Sequence, residues 1–435
     1  MIRNNFKNKF KGAIDILKIF NRNGYEAYFV GGCVRDYLLG EEFSDIDITT
    51  NALPEEVKKV FRKSIDTGIQ HGTVTILVNG DSYEVTTFRT EEDYTNHRSP
   101  EKVEFVSNLR EDLDRRDFTI NAMALDNNGK LFDYHNGDKD LSSKIIRTVN
   151  DPNERFYEDA LRMLRAFRFS SKLGFEIEDN TLDAIKKNAE LIKFVSIERI
   201  VNEFKKLLTG KGNLRSLELL IDSKLNSYIP FFEEVNEVQD LSSYSFCQSL
   251  YILSNINNIS FEKLKLLKLS NKEIKLIKQF DLINQEFINN TPIELILYKY
   301  NREDVKFVCD YFGYDEEKNI DKYILKINSD DMTSFFQELS QDKNFTELYK
   351  KLTNKEFNDK ENSNFSNKET FEYVVYAKDN KIQKVLIDKE ISIVFNNEYK
   401  TVYYKNQVYL QVYYKTVGTA CYFTLSQKLQ VTVDH

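Results

Sequence analysis

Apolar residues recur at helical spacing over the first two dozen positions and predict a helix to about residue 24, with Phe10, Ile14, Leu17 and Ile16 on its buried side. An apolar run from Ala27 to Val30 reads as a strand that ends in Gly31-Gly32 and passes into a helix-like Tyr37-Leu38-Leu39. A shorter stretch, Asp45 to Thr49, predicts a second strand. Pro54-Glu55-Glu56, after Asn51, opens a helix to about Arg62, since proline is tolerated at the first helical position. Two strand-like runs, Gly72 to Val78 and Asp81 to Arg89, are joined by Asn79-Gly80, a hairpin signal. The polar stretch 91–101 breaks the periodicity and reads as a mobile loop. Helical spacing then dominates. It predicts a largely buried helix over Arg155 to Phe169 and another capped by Ser196 and closed by Gly210, then helices to about residue 330 with breaks at Pro230 and Pro292. Residues 354–368, rich in Asn, Lys and Ser, read as a linker, and 370–435 alternate as strands do. The fold class expected is an α/β head with a mixed or antiparallel sheet, followed by an all-α neck and body and a β-like C-terminal segment.

At 435 residues the chain exceeds one average core, so roughly two to four domains are expected. Its 30% charged and 41% hydrophobic residues are an ordinary soluble balance. Cys33, Cys247, Cys309 and Cys421 are scattered with no CxxC pair, which points away from zinc and from a disulfide framework and suits a reducing cytoplasm. No stretch has the apolar length of a signal peptide core or a membrane span, so no membrane partner is expected. A net charge of −8 argues mildly against nucleic acid, but a local basic face can still hold an RNA backbone. The basic run Phe261 to Phe280 supplies one, with Lys268, Lys272 and Lys275 expected on a single helical face.

The candidate chemistry lies in Tyr28 to Thr50. Asp45 and Asp47, two residues apart on a strand, would share a face. Two adjacent carboxylates repel unless a proton or a cation intervenes, and hard Mg²⁺ takes oxygen ligands. Beside them, the strand–Gly-Gly–helix turn offers bare backbone N–H groups to an anion. A lone DxD is common on surface loops, and a lone Gly-Gly is usually a turn. Together they point to phosphate beside metal, as nucleotidyl transfer requires. The G-x-G-x-x-G spacing of dinucleotide sites is absent. If the Asn79-Gly80 hairpin joins the same sheet, Glu84 can approach the pair. An exposed edge carboxylate is the plainer alternative.

These residues carry a resemblance. GGCVRD followed by DID, then RRDFTINA from Arg115 and EDALRMLRAFRF from Glu158, resemble the class II tRNA nucleotidyltransferase and bacterial poly(A) polymerase group. The likeness is nearest to the CCA-adding enzymes of Gram-positive bacteria, close over about 25–210 and looser to about 330. It implies catalytic Asp45, Asp47 and Glu84, with Mg²⁺ on the two aspartates. It implies nucleotide contacts from Gly31, Gly32, Arg35, Asp36 and Arg116 on the triphosphate side, and from Asp117 and Asn121 at the ribose. Asp159 and Arg162 would read the base edge, with Arg165 and Arg168 left for phosphates and for orienting that pair. Read without the resemblance, these arginines would form internal ion pairs with Glu158 or Asp159. The resemblance also makes 91–101, with Tyr94, Arg98 and Pro100, a flexible active-site loop, and Asp133, Gly137 and Asp140 a hinge. The implied partners are tRNA, with CTP and ATP as substrates, and a homodimer is the assembly to test. The implied organisation is a catalytic head (1–145), a base-recognising neck (146–210), a tRNA-binding body (211–330), a degenerate tail (331–368) and a β-like segment of unknown role (369–435). The implied activity is addition of C, C and A to a tRNA 3′ end. Addition of A alone, poly(A) extension, and a non-catalytic RNA- or nucleotide-binding protein on the same fold are the rivals.

Overall fold

A computed structural model describes residues 5–95, 99–291, 293, 296 and 300–314, with backbone alone over 91–95 and 99–104. It also describes strand backbone at 374–378, 381–388, 391–395, 399–404, 407–413 and 422–424. The expected N-terminal helix is two, α1 (Phe6–Lys9) and α2 (Ala13–Arg22), because Gly12 at φ 90° breaks it. Phe10, Ile14, Ile16 and Leu17 are buried as the spacing requires.

Then come β1 (Ala27–Val30), α3 (Gly32–Leu39), β2 (Asp47–Thr50), α4 (Pro54–Val60), β3 (Ser64–Gly68), β4 (Thr73–Val78) and β5 (Asp81–Thr87). Next are β6 (Arg89–Thr95), β7 (Ser99–Phe105), α5 (Leu109–Asp114), β8 (Met123–Leu125) and β9 (Leu131–Asp133). Seven of these strands form one mixed sheet in the order β3-β4-β5-β2-β1-β8-β9. Its one parallel pairing, β2 with β5, is what carries the Asn79-Gly80 hairpin to the carboxylate strand. On one face Phe29 stacks on Phe10 of the N-terminal segment, ring centres 4.4 Å apart. On the other, Val30, Phe88 and Ala124 pack with Leu109 and Leu113 of α5. The stretch expected to be a mobile loop is instead a two-stranded antiparallel ribbon, β6 with β7, while Arg98 lies outside the described residues. The stretch is polar nearly throughout, and that polarity hid a strand pairing that rests on backbone hydrogen bonds.

The helical part begins with α6 (Gly137–Ser143), β10 (Ile145–Ile146), α7 (Pro152–Glu158), α8 (Leu161–Leu173), β11 (Glu176–Ile177), α9 (Asp179–Asn188) and α10 (Ile197–Leu208). It continues with α11 (Asn213–Asp222), α12 (Phe246–Ile256), α13 (Asn271–Ile288) and α14 (Arg302–Phe312). Met163, Leu164, Ala166 and Phe167 bury the apolar side of α8 completely. Full burial of a side chain such as Phe167 contributes about 1.5–3 kcal/mol. Ser196 does stand at the N-cap of α10, but its side chain makes no capping bond. Gly210 allows a close crossing, since a Cβ there would run into Ser171. The chain divides into two compact units, Met1–Ile277 and Lys278–His435. In the second, the rings of Phe280 and Phe307 pack edge to face with centres 4.7 Å apart, and six strands, β12 (Val374–Lys378), β13 (Lys381–Asp388), β14 (Ile391–Phe395), β15 (Tyr399–Tyr404), β16 (Gln407–Tyr413) and β17 (Tyr422–Thr424), pair in sequence order as an antiparallel meander. Residues 315–373, with the linker expected at 354–368, lie outside the described residues, as does Pro292.

Candidate active site

The turn from β1 into α3 places bare backbone against charge. Gly31 has φ 73° and ψ −133°, a conformation other residues rarely adopt. A Cβ there would sit 3.4 Å from Arg116 Nη1 and 3.5 Å from Asp47 Oδ2. Next to it, the Cys33 thiol donates to Val30 O at 3.2 Å, and burial pushes its pKa up to about 12, so it is inert. Strand register puts Val30, Asp47 and Glu84 side by side on β1, β2 and β5, with their side chains on one face. Asp45, expected within the strand, lies just ahead of it, because ladder pairing begins at Asp47. It still bears on the group. The Asp47 carboxyl is pushed up by its burial, drawn back by Arg116, and pushed up again by Glu84 and Asp45. Among the described residues no three His, Cys, Asp or Glu side chains lie close enough to hold a metal ion between them. This donor set, a half-buried and an exposed aspartate with an exposed glutamate beside them, fits a hard cation that takes one or two carboxylates and completes its shell with substrate phosphates.

Arg116 is aimed by a residue the sequence reading passed over. Asp112 on α5 is fully buried. It accepts Arg115 Nε and Nη2 at 3.0 and 2.7 Å, Arg116 Nη2 at 3.2 Å and Thr49 Oγ1 at 3.2 Å. Burial opposes its charge, but Arg115 and Arg116 outweigh that and hold the carboxyl below its ordinary range. Arg116 Nε is buried with no hydrogen-bond partner, so this guanidinium keeps a donor in reserve.

Arg35, expected at a triphosphate, is 3% exposed. Its Nε and Nη2 donate to Asp36 at 2.7 and 2.9 Å, and its Nη1 to Asn121 Oδ1 at 2.7 Å. It braces α3 rather than presenting a free cation, and Lys172 Nζ meets the same Asp36 at 3.4 Å. Asn121 Nδ2 in turn donates to Asp117 at 3.1 Å, and Asp117 accepts Arg165 Nε and Nη2 at 2.9 and 2.6 Å. Burial alone would raise the Asp117 pKa, but Arg165, with hydrogen bonds from Asn121 and Arg165, lowers it to about 2.

The helix expected over Arg155 to Phe169 is broken at Asp159 and Ala160, where α7 ends and α8 begins. Asp159 Oδ1 accepts the Leu161 N–H at 3.1 Å and its Oδ2 accepts Arg199 Nη2 at 2.8 Å. Arg162, 7% exposed, donates to Glu158, to Arg155 O at 3.1 Å and to Arg115 O at 3.0 Å. Arg165 and Arg168, expected at phosphates, face carboxylates instead: Arg165 meets Asp117 and Glu203, and Arg168 Nη1 meets Glu203 at 3.2 Å. The internal pairing weighed against base reading thus holds for Arg162 with Glu158, while Asp159 pairs with Arg199. Glu203 and Arg199 were missed. The available signal was an acid at Glu203 beside Ile200, Val201, Phe204 and Leu207, on the apolar side of α10, where only a buried cation makes it affordable.

The three lysines do not share a helix. Ser270 and Glu273 exchange side-chain-to-backbone bonds as a capping box, and this starts α13 after Lys268, which adopts a left-handed turn at φ 48°. Lys268 pairs with Glu198 at 2.9 Å. Lys272 and Lys275 remain together on the exposed side of α13.

Residues 27–147 match the family described as Poly A polymerase head domain, and residues 174–235 match the probable RNA and SrmB-binding site of polymerase A. The CCA-adding enzyme of Ligilactobacillus salivarius is 50% identical over 246 residues, 56% of this chain and 61% of that enzyme. The chain therefore matches about three fifths of that relative's length. The CCA-adding enzyme of Staphylococcus aureus is 43% identical over 310 residues, 69% of this chain and 76% of that enzyme. The crystal structure of the Bacillus stearothermophilus CCA-adding enzyme in complex with CTP superposes with a TM-score of 0.66 at 33% identity, covering 82% of this chain and 91% of that one.

Proposed function

The chain belongs to the family of the CCA-adding enzymes, and from that premise we propose that it adds C, C and A, without a template, to the 3′ end of tRNA, using CTP and ATP and releasing pyrophosphate. One observation carries this reading. The Asp47–Gly31–Arg116 cluster adjoins the base-selecting candidates directly, because Arg162 donates to the carbonyl of Arg115, the residue before Arg116.

In this reading Asp45 and Asp47, with Glu84 beside them, hold Mg²⁺. When bound, the metal lowers the pKa of the tRNA 3′-hydroxyl and offsets charge on the phosphates. Gly31 and Gly32 leave room for the triphosphate at the α3 N-terminus, and Arg116 faces it through Nη1, the atom nearest the Gly31 turn. Asp117 and Asn121 contact the ribose hydroxyls, held in place by Arg165 and by the Arg35–Asp36 pair. Asp159, whose carboxylate has acceptor sites left beyond Leu161 and Arg199, accepts from the exocyclic amino group of C or A, and Arg162 donates to the adjacent ring nitrogen. Arg162 exchanges one of its internal acceptors for that nitrogen when the base enters. Lys272 and Lys275 meet the RNA backbone. Cys33, Cys247 and Cys309 are buried as thiols, which suits a reducing cytoplasm, and among the described residues no helix is long and apolar enough to cross a membrane.

The test is a labelled tRNA ending before CC, at CC, or complete, given CTP and ATP separately and together. The proposal expects CTP to extend the first by two residues, ATP to extend only the second, and neither to extend the third. Extension of the second alone would make it an A-adding enzyme, unlimited A addition a poly(A) polymerase, and no extension a binding protein.

A further inference from the structure

The polar chain of the site closes around a single ring. Phe169 on α8 is 3% exposed, and three guanidinium carbons lie over it: Arg168 at 4.2 Å, and Arg35 and Arg165 each at 5.3 Å. Arg35 comes from α3, while Arg165 and Arg168 come from α8 itself. Hydrogen bonds link the surrounding groups in series, Asp36 to Arg35, Asn121, Asp117, Arg165, Glu203 and Arg168. Three like charges about one buried ring repel, and Asp36, Asp117 and Glu203 neutralise them in number. Each of these cations also gains from the negative face of an aromatic ring, most strongly where water is excluded. Arg168 shows this most directly. Its Nη1 reaches Glu203, its Nε is buried with no hydrogen-bond partner, and the guanidinium rests on the ring.

The plainer reading makes Phe169 one more core residue, since its ring also meets Phe118 edge-on at 5.7 Å. A core role alone would be filled as well by any apolar residue of similar volume. It does not account for the convergence of cations from two elements on its face.

We propose that Phe169 is a positioning residue for nucleotide selection: through its π face it holds Arg35, Arg165 and Arg168 in the arrangement that sets Asp117 and Asn121 at the ribose. This rests on the reaction proposed above. Arg165 is bonded to Asp117 and Arg35 to Asn121, so a shift of either cation moves the ribose-facing pair.

The test replaces Phe169 with mono-, di- and trifluorinated phenylalanine, which nearly keep the shape while draining negative charge from the ring face, and includes Phe169→Leu. The measurement is kcat/KM for CTP against dCTP on tRNA lacking CCA. The preference for the ribonucleotide is expected to fall stepwise along the fluorinated series, by about tenfold at its end, with the change mainly in KM. Phe169→Leu should lose at least as much. A wild-type ratio throughout the fluorinated series would overturn the proposal, even if Phe169→Leu melts early, and would leave Phe169 a packing residue. Failure of the wild type to incorporate CTP at all would overturn the reaction itself, and the proposal with it.

Discussion

Asp117→Asn separates the charge of the site from its shape. The carboxylate accepts two bonds from Arg165, at 2.9 and 2.6 Å, one from Asn121 at 3.1 Å and one from its neighbour's amide, Phe118 N, at 2.8 Å. Its side chain is 11% exposed, so solvent screens these contacts little. A fall in its pKa from 3.8 to about 2 on folding is worth about 2 kcal/mol. Removing the charge also leaves Glu203, at 3.4 Å, as the one carboxylate hydrogen-bonded to Arg165, and breaking a buried pair on one side costs about 3–5 kcal/mol. Because Asn keeps part of the hydrogen bonding, the variant should be less stable by about 2–4 kcal/mol near pH 6. The folded-state pKa lies below the unfolded one. This contribution is therefore complete above about pH 4 and is lost as pH falls through about 2. Urea titrations of wild type and variant, followed by circular dichroism at several pH values, should give a constant gap between pH 5 and 7 that narrows by about 2 kcal/mol toward pH 2. A gap that holds its full size down to pH 2.5 would refute the view that Asp117 acts through its charge.

Asp47→Asn should abolish nucleotide addition with the melting transition retained, and near-normal turnover at saturating Mg²⁺ would sink the metal assignment. Gly31→Ala forces a side chain into φ 73° against Arg116 and Asp47, at a cost of about 1–3 kcal/mol. It should weaken nucleotide binding more than it lowers stability, as calorimetric titration with CTP beside a melting curve would reveal. Arg199→Ala removes the 2.8 Å partner of Asp159 and should relax base choice while sparing the CTP-to-dCTP preference, because the ribose contacts do not involve it. Equal loss of both preferences would show that Arg199 only supports the fold.

Legibility followed the range of the interactions. β1, the Gly-Gly turn and the Asn79-Gly80 hairpin rest on neighbours in sequence, and they fall within a residue or two of where the pattern put them. The place of Glu84 beside Asp47 could be stated only conditionally, since the parallel pairing of β2 with β5 reaches past α4, β3 and β4. The break at Asp159 has a local signal, an Asp whose Oδ1 takes the Leu161 N–H, but its other oxygen is held by Arg199, forty positions on, which no local pattern marks. For the same reason, of the partners the buried arginines of α8 required, only Glu158, the local one, was named correctly, for Arg162. Asp117 and Glu203 come from other elements. The Lys268 error had a different source. The S-x-x-E signal at Ser270 was present, and a continuous basic run was allowed to outweigh a helix start.

The central claim is that Asp159 and Arg162 choose the base, and the CTP-to-UTP incorporation ratio on tRNA lacking CCA, wild type against Asp159→Ala, tests it most directly. A site built to hydrogen-bond its substrate rejects the wrong base because a buried partner is left unpaired. Losing Asp159 should therefore cost CTP and ATP about 2 kcal/mol or more and UTP much less, so the ratio should fall by about tenfold or more. A ratio equal to that of the wild type, with all nucleotides slowed alike, would mean that Asp159 serves only to start α8 and anchor Arg199.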